Sequence, residues 1–345
     1  MKFSKIKKSL VAGAVLAGAS LSANAGVVAT SYLDVQSFGI IAFYDEAMTQ
    51  PVLPQDLGTF IQVSGGTRSA QTSTGFNGVG LPDTRVFATG PNGTGTADGV
   101  FDCAGPSCNI LGLTNNSLIG QHSNVEAIHA DSLANGYGYA VADSIVDGSA
   151  LVNPAVSASG MTYAGASVGG ANNNASATSD ITDSLTTVVN FAIQGVTELY
   201  LSFTASYSLF VDASQTPDIA ADPSQTANAT ASADFTISLG TDSTSQDGGS
   251  VGFDTGAGFV DVTNLLPLFP QSLVSASDDF TGSDTGVSVE NGSSATGFYR
   301  VGNGDYQVSI VQASSAGVSL VSAPGTLAIA GLGLLGLAAA RRRKS

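Results

Sequence analysis

From Thr197 to Val211 the chain alternates without a break. Leu199, Leu201, Phe203, Ala205, Tyr207, Leu209 and Val211 fall on one side, and Ser202, Thr204, Ser206 and Ser208 on the other. A period of two sustained this long predicts a strand with one buried and one wetted face. The pattern recurs in shorter form. Asp234–Leu239 sets Phe235, Ile237 and Leu239 against Asp, Thr and Ser, and Asp305–Gln312 turns Tyr306, Val308 and Ile310 inward. Leu185–Gln194, Gly297–Val301 and Gly317–Val321 read as further strands, with Asn303-Gly304 as a hairpin turn between two of the closing ones. Near the other end, Val27–Tyr44 is rich in β-branched and aromatic residues, and Phe38, Ile40 and Ala42 alternate. This predicts two strands ended by Pro51 and Pro54, then a short strand over Phe60–Val63 closed by Gly65-Gly66.

Between these regions the pattern fades. Gly75–Gly105 holds the turn pairs Asn77-Gly78, Pro82-Asp83 and Asp98-Gly99, and only Arg85–Ala88 looks extended. Ala150–Asp180 is low-complexity Ala, Ser, Gly and Asn, compatible either with flat strands of tiny side chains or with a mobile segment. No stretch between 26 and 320 carries a helical period. The expectation is an all-β body built as an antiparallel two-sheet sandwich or jelly roll, with an irregular part at 26–180 and a regular part at 181–320.

The two ends differ from this body. Lys2, Lys5, Lys7 and Lys8 precede the apolar stretch Leu10–Leu21, and Ala23-Asn24-Ala25 fits a small-x-small cleavage site. Residues 1–25 therefore read as a signal peptide cut between Ala25 and Gly26. At the other end, residues 321–345 contain a turn at Ala323, Pro324 and Gly325, an uncharged run from Leu327 to Ala340, and the cations Arg341, Arg342, Arg343 and Lys344. As a helix the run is roughly 21 Å long, short of the ~30 Å hydrocarbon core. It suits transient membrane contact, with the cations held on the cytoplasmic side. An exported chain meets an oxidising compartment, so the lone cysteine pair, Cys103 and Cys108, is expected to form a local disulfide.

The C-terminal segment resembles the PEP-CTERM sorting signal of Gram-negative bacteria. Val321, Pro324, Thr326 and Leu327 match that signal, as do the apolar run and the basic end, with Ser322-Ala323-Pro324 standing in place of the Pro-Glu-Pro triplet. The resemblance implies passage through the export machinery, processing by an exosortase, which is a membrane transpeptidase, and delivery to the cell surface or beyond.

Composition sharpens the picture by exclusion. Eight of the 11 Lys and Arg sit in the two ends, leaving Arg68, Arg85 and Arg300 against all 27 acids in residues 26–320. Binding nucleic acid needs cations that displace phosphate counterions, so that class is set aside. An acidic, self-repelling surface remains, able to hold calcium weakly.

Candidate chemistry is sparse. Gly165-Ala166-Ser167-Val168-Gly169 spells G-x-S-x-G, but Gly170-Ala171-Asn172-Asn173-Asn174 follows where a nucleophile elbow needs a helix. His122, Glu126 and His129 would share a face if helical and could then ligate zinc; solvent-facing residues are the bland alternative. Asp242–Asp247, Asp254–Asp261 and Ser277–Asp284 are acidic turns without the register of a calcium loop. No catalytic residue and no cofactor is assigned. The function expected is structural or adhesive, within exopolysaccharide or biofilm. The alternatives are a secreted carbohydrate- or calcium-binding module and, behind it, a secreted hydrolase. For sugar binding, an aromatic platform could draw on Tyr137, Tyr139 and Tyr200.

Overall fold

The computed structural model describes residues 26–80, 84–90, 97–110, 136–144, 160–169, 173–181, 187–215, 225–241, 251–254, 259–262, 269–280 and 287–322. They form two antiparallel sheets with little else, so the all-β expectation holds. The first sheet contains β1 (Gly26–Phe43), β5 (Ala97–Ala104), β6 (Tyr137–Ser144), β7 (Gly160–Gly169), β10 (Leu199–Gln215), β12 (Val251–Asp254), β13 (Phe259–Val262), β15 (Val287–Ala295) and β16 (Tyr299–Val301). Its order is β13-β12-β16-β10-β1-β7-β6-β5, with β15 also pairing β10. The second sheet contains β2 (Ile61–Phe76), β3 (Val79–Gly80), β4 (Thr84–Gly90), β8 (Asn173–Ile181), β9 (Thr187–Ile193), β11 (Gln225–Thr241), β14 (Phe269–Phe280) and β17 (Gly304–Ser322). Its order is β14-β11-β17-β8-β2-β3, with β4 on β2 and β9 bridging β17 and β2. Strands from either side of residue 180 enter both sheets.

The sheets pack face to face over one apolar layer. Leu199, Leu201, Phe203, Tyr207, Leu209 and Val211 supply it from β10, as the alternation predicted, and Phe235, Ile237 and Leu239 supply it from β11. Phe203 stacks on Phe38 at 6.0 Å between ring centroids and meets Tyr299 edge-on at 5.8 Å. Toward the middle of β17 the layer turns polar. Gln312 Nε2 donates to the carbonyls of Leu33 (2.8 Å) and Gly160 (3.0 Å) in the opposite sheet, and the Thr162 and Ser314 hydroxyls meet at 2.8 Å.

Several sequence expectations are corrected. Val27–Tyr44 holds one strand, β1, and not two. A bulge at Gln36, between Val35 and Ser37, shifts the phase, so Leu33 and Val35 point inward before it and Phe38, Ile40 and Ala42 after it. The strand foreseen at Phe60–Val63 does not close at Gly65-Gly66 but runs on to Phe76, with a register shift between Val63 and Gly65. Within Gly75–Gly105, β3, β4 and β5 replace most of the expected loop. Asn303-Gly304 is not a hairpin turn: β16 belongs to the first sheet and β17 to the second, so these residues carry the chain between sheets.

Two short helices also appear where none was expected, α1 (Pro54–Phe60) and α2 (Ser107–Ile110). Pro54 opens α1 with its φ already set and no amide to satisfy, and Leu57 is buried beneath it. Cys108 of α2 is bonded to Cys103 of β5, as foreseen. It joins a second apolar cluster with Tyr32, Tyr137, Tyr139, Tyr163 and Phe210. That cluster lies on the far face of the first sheet, so β1, β6 and β7 are buried on both sides.

Candidate functional site

The outer face of the second sheet is the polar half of the same alternation. Register places Thr230, Gly317, Ser176 and Gly75 in one row across β11, β17, β8 and β2. Ser232, Ser315, Thr178 and Ser73 form the next, and the Ser232 and Ser315 hydroxyls are joined at 2.7 Å. Asn228, Thr230 and Ser176 are exposed. Glycines interrupt the rows and leave an open groove of about 570 Å³ lined by Ser73, Gly75, Ser176, Asn228, Thr230 and Gly317 among others. It crosses five neighbouring strands, from β11 to β3. Its lining includes hydroxyls, one carboxamide and peptide groups, so it can accept and donate hydrogen bonds without net charge. The sequence reading missed it, although one signal was there: Gly317 sits inside an otherwise regular strand pattern.

The predicted aromatic platform does not assemble. Tyr137 and Tyr139 are fully buried, with Tyr139 against Tyr163 at 5.7 Å. Burial, with Tyr137 and Tyr139 close by, pushes the Tyr163 phenol well above its ordinary pKa. Tyr200 is 4 % exposed and its hydroxyl donates to Glu198 Oε2 at 3.1 Å. Desolvation first, and then the Glu198 carboxylate, raise its pKa. The reason is lateral packing: bulky rings on β6 and β7 had a second apolar layer to enter, which a one-faced strand pattern does not reveal. Among the described residues the exposed aromatic ring is instead Tyr44, 42 % exposed and edge-on to Phe60 at 5.8 Å.

The other candidates fall as follows. Ser167 of the G-x-S-x-G match is fully buried inside β7, with strand on both sides of it. His122, Glu126 and His129 lie outside the described residues. So do Asp242–Asp247, residues 1–25 and the tail from Ala323, including Pro324, Thr326, Leu327 and Arg341–Lys344. Of the acidic stretches expected as turns, Ser277–Phe280 is instead the end of β14, where Asp278 accepts the Ala213 amide at 2.9 Å. Among the described residues no group of three His, Cys, Asp or Glu is placed to hold a metal, and no helix is long and apolar enough to cross a membrane. Gly26, the expected mature start, opens β1, and Val321 is an exposed residue near the end of β17. Asp45 closes the turn after β1 by accepting the Thr49 hydroxyl and the Thr49 and Gln50 amides. The Thr49 hydroxyl bond is the main cause of its lowered pKa.

No protein-family profile and no curated protein matches the chain. Among solved structures it aligns with the infectious bursal disease virus VP2 subviral particle at 12% identity, over 91% of this chain and 89% of that one, with a TM-score of 0.10. A structure of the Gt strain of that virus aligns at 11% identity over 87% and 80%, with a TM-score of 0.08. Overlap this poor carries no assignment.

Proposed function

We propose that this chain is an exported cell-surface or extracellular-matrix protein, structural or adhesive within a polysaccharide layer. In this reading the body is a β-sandwich, the leader directs export, and the PEP-CTERM-like tail holds the chain at the inner membrane until an exosortase processes it. The observation that carries the reading is the outer face of the second sheet, where Ser, Thr, Asn and Gly cross five strands on a cation-poor body. Such a face stays hydrated and hydrogen-bonds to hydroxylated polymers. The Cys103–Cys108 bond agrees with an oxidising destination.

Fractionation of the producing cell tests it. The mature chain is expected in the envelope or matrix fraction, starting at Gly26 and lacking the C-terminal peptide. Deletion of Pro324–Ser345 is expected to release the body into the medium with an unchanged thermal midpoint. In a strain without the exosortase the C-terminal peptide stays attached. Recovery of the full chain in the cytosol with Met1 in place would overturn the reading.

A further inference from the structure

Gly317 has no local reason to be glycine. It lies inside β17, paired to Thr230 on one side and Ser176 on the other, with no register shift at either pairing. Its φ is not in the left-handed region, and an added Cβ would meet only Thr230 Oγ1, at an ordinary 3.4 Å. Glycine at such a position costs about 0.5–1 kcal/mol relative to alanine. Bulges, bends and close approach of backbone or ligand are the usual reasons for strand glycines. With no bulge and no crowding backbone at Gly317, open space for close approach of a ligand is what the position offers.

We propose that the groove over Gly317 binds an extended, uncharged polysaccharide chain. The proposal rests on the matrix reading for the presence of such a polymer, and deepens it by naming the surface that holds it. Three features select this occupant. The groove is open and crosses five strands, roughly 19 Å at the usual interstrand spacing, which suits a chain more than an enclosed small molecule. Its walls offer the Asn228 carboxamide and the hydroxyls of Ser176 and Thr230, matched to vicinal sugar hydroxyls. The body carries three cations against 27 acids, so a polyanion is repelled.

Affinity electrophoresis of the whole mature chain through gels containing laminarin, hydroxyethylcellulose or alginate tests the proposal. Retardation by a neutral glucan and none by alginate is expected. G317V should weaken that retardation about tenfold or more, equivalent to 1.4 kcal/mol or above, because the valine fills the groove floor. N228A should weaken it less, and S206A, on the other sheet, not at all. Circular dichroism should stay at wild type in all three, and the thermal midpoint should not fall in any of them, rising slightly in G317V as the strand loses its glycine. Equal retardation of G317V and wild type overturns the proposal, as does binding to alginate alone. Absence of retardation by either glucan overturns it too, while matrix location in the host leaves the reading above intact. Self-association abolished by G317V, seen by sedimentation, overturns it in favour of a second copy. Cytosolic location together with G317V-sensitive glucan binding removes the matrix reading and keeps the groove.

Discussion

Along β17 the layer between the sheets changes character. At its start Tyr306, Val308 and Ile310 share the layer with Phe191 and Phe235 of the same sheet and Phe203 of the other, and rings fill the space between the sheets. Beyond Gln312 the inward residues of β17 shrink to Ser314 and Ala316 before Val318 and Leu320, and the neighbouring β11 contributes Ala227, Ala229, Ala231 and Ala233. Here the backbones approach closely enough for side chains of one sheet to bond carbonyls of the other, as Gln312 does to Leu33 and Gly160. Beside it, β6 lies so near that a Cβ on Gly138 would overlap the carbonyls of Ser176 and Gly75. The ring-filled end is held by buried area and the narrow end by steric fit and hydrogen bonds. The two should therefore fail in opposite ways, one when atoms are removed and the other when atoms are added.

The largest effect is expected from Phe203→Ala. It deletes a fully buried ring with two aromatic neighbours, and such truncations cost about 3–5 kcal/mol. Urea denaturation measures it, and a loss below about 1 kcal/mol would show that the wide end collapses to fill the gap. Gly138→Ala adds one methyl group at the narrow end. It should cost about 1–3 kcal/mol, since the obstruction is backbone and cannot rotate away. A neutral or stabilising Gly138→Ala would break the comparison. Gln312→Leu keeps the approximate volume but leaves two buried carbonyls short of a donor, at about 2 kcal/mol. If it proves more stable than wild type, the narrow end is apolar in its energetics after all.

The smallest effect concerns a turn outside both regions. Asp45 has a lowered pKa in the fold, so the stability it adds is present above the ordinary carboxylate pKa and lost as pH falls through the lowered value. Asp45→Asn should lower stability slightly at neutral pH, and the difference from wild type should close as pH falls through the acid limb. A large change near pH 7 would contradict this.

Legibility followed the same division. β10 and the first half of β17 could be read directly, because apolar residues on the core face alternate with mostly polar ones on the other, and the period shows. β7 could not, because Gly160–Val168 is buried on both faces and small residues leave no contrast to detect. The bulge at Gln36 made one strand resemble two by moving the inward positions from odd to even numbers. The disulfide was plain, since a single pair five residues apart leaves one pairing. The groove depends on register between strands distant in sequence, Asn228 beside Ser319 and Gly317 beside Ser176, which no local pattern encodes.

The position of β17 also bears on mechanics. It is bonded along one edge to β11, from Gln225 opposite Ser322 to Thr241 opposite Tyr306, and along the other to β8 and β9. A pull applied beyond Ser322 runs parallel to the strand and loads both ladders in shear, so many hydrogen bonds share the force at once. A strand peeled from an edge would surrender them singly. Rupture under load is governed by the unfolding rate and not by equilibrium stability. A body tethered through this strand is thus suited to sustained tension even if its thermal stability is ordinary.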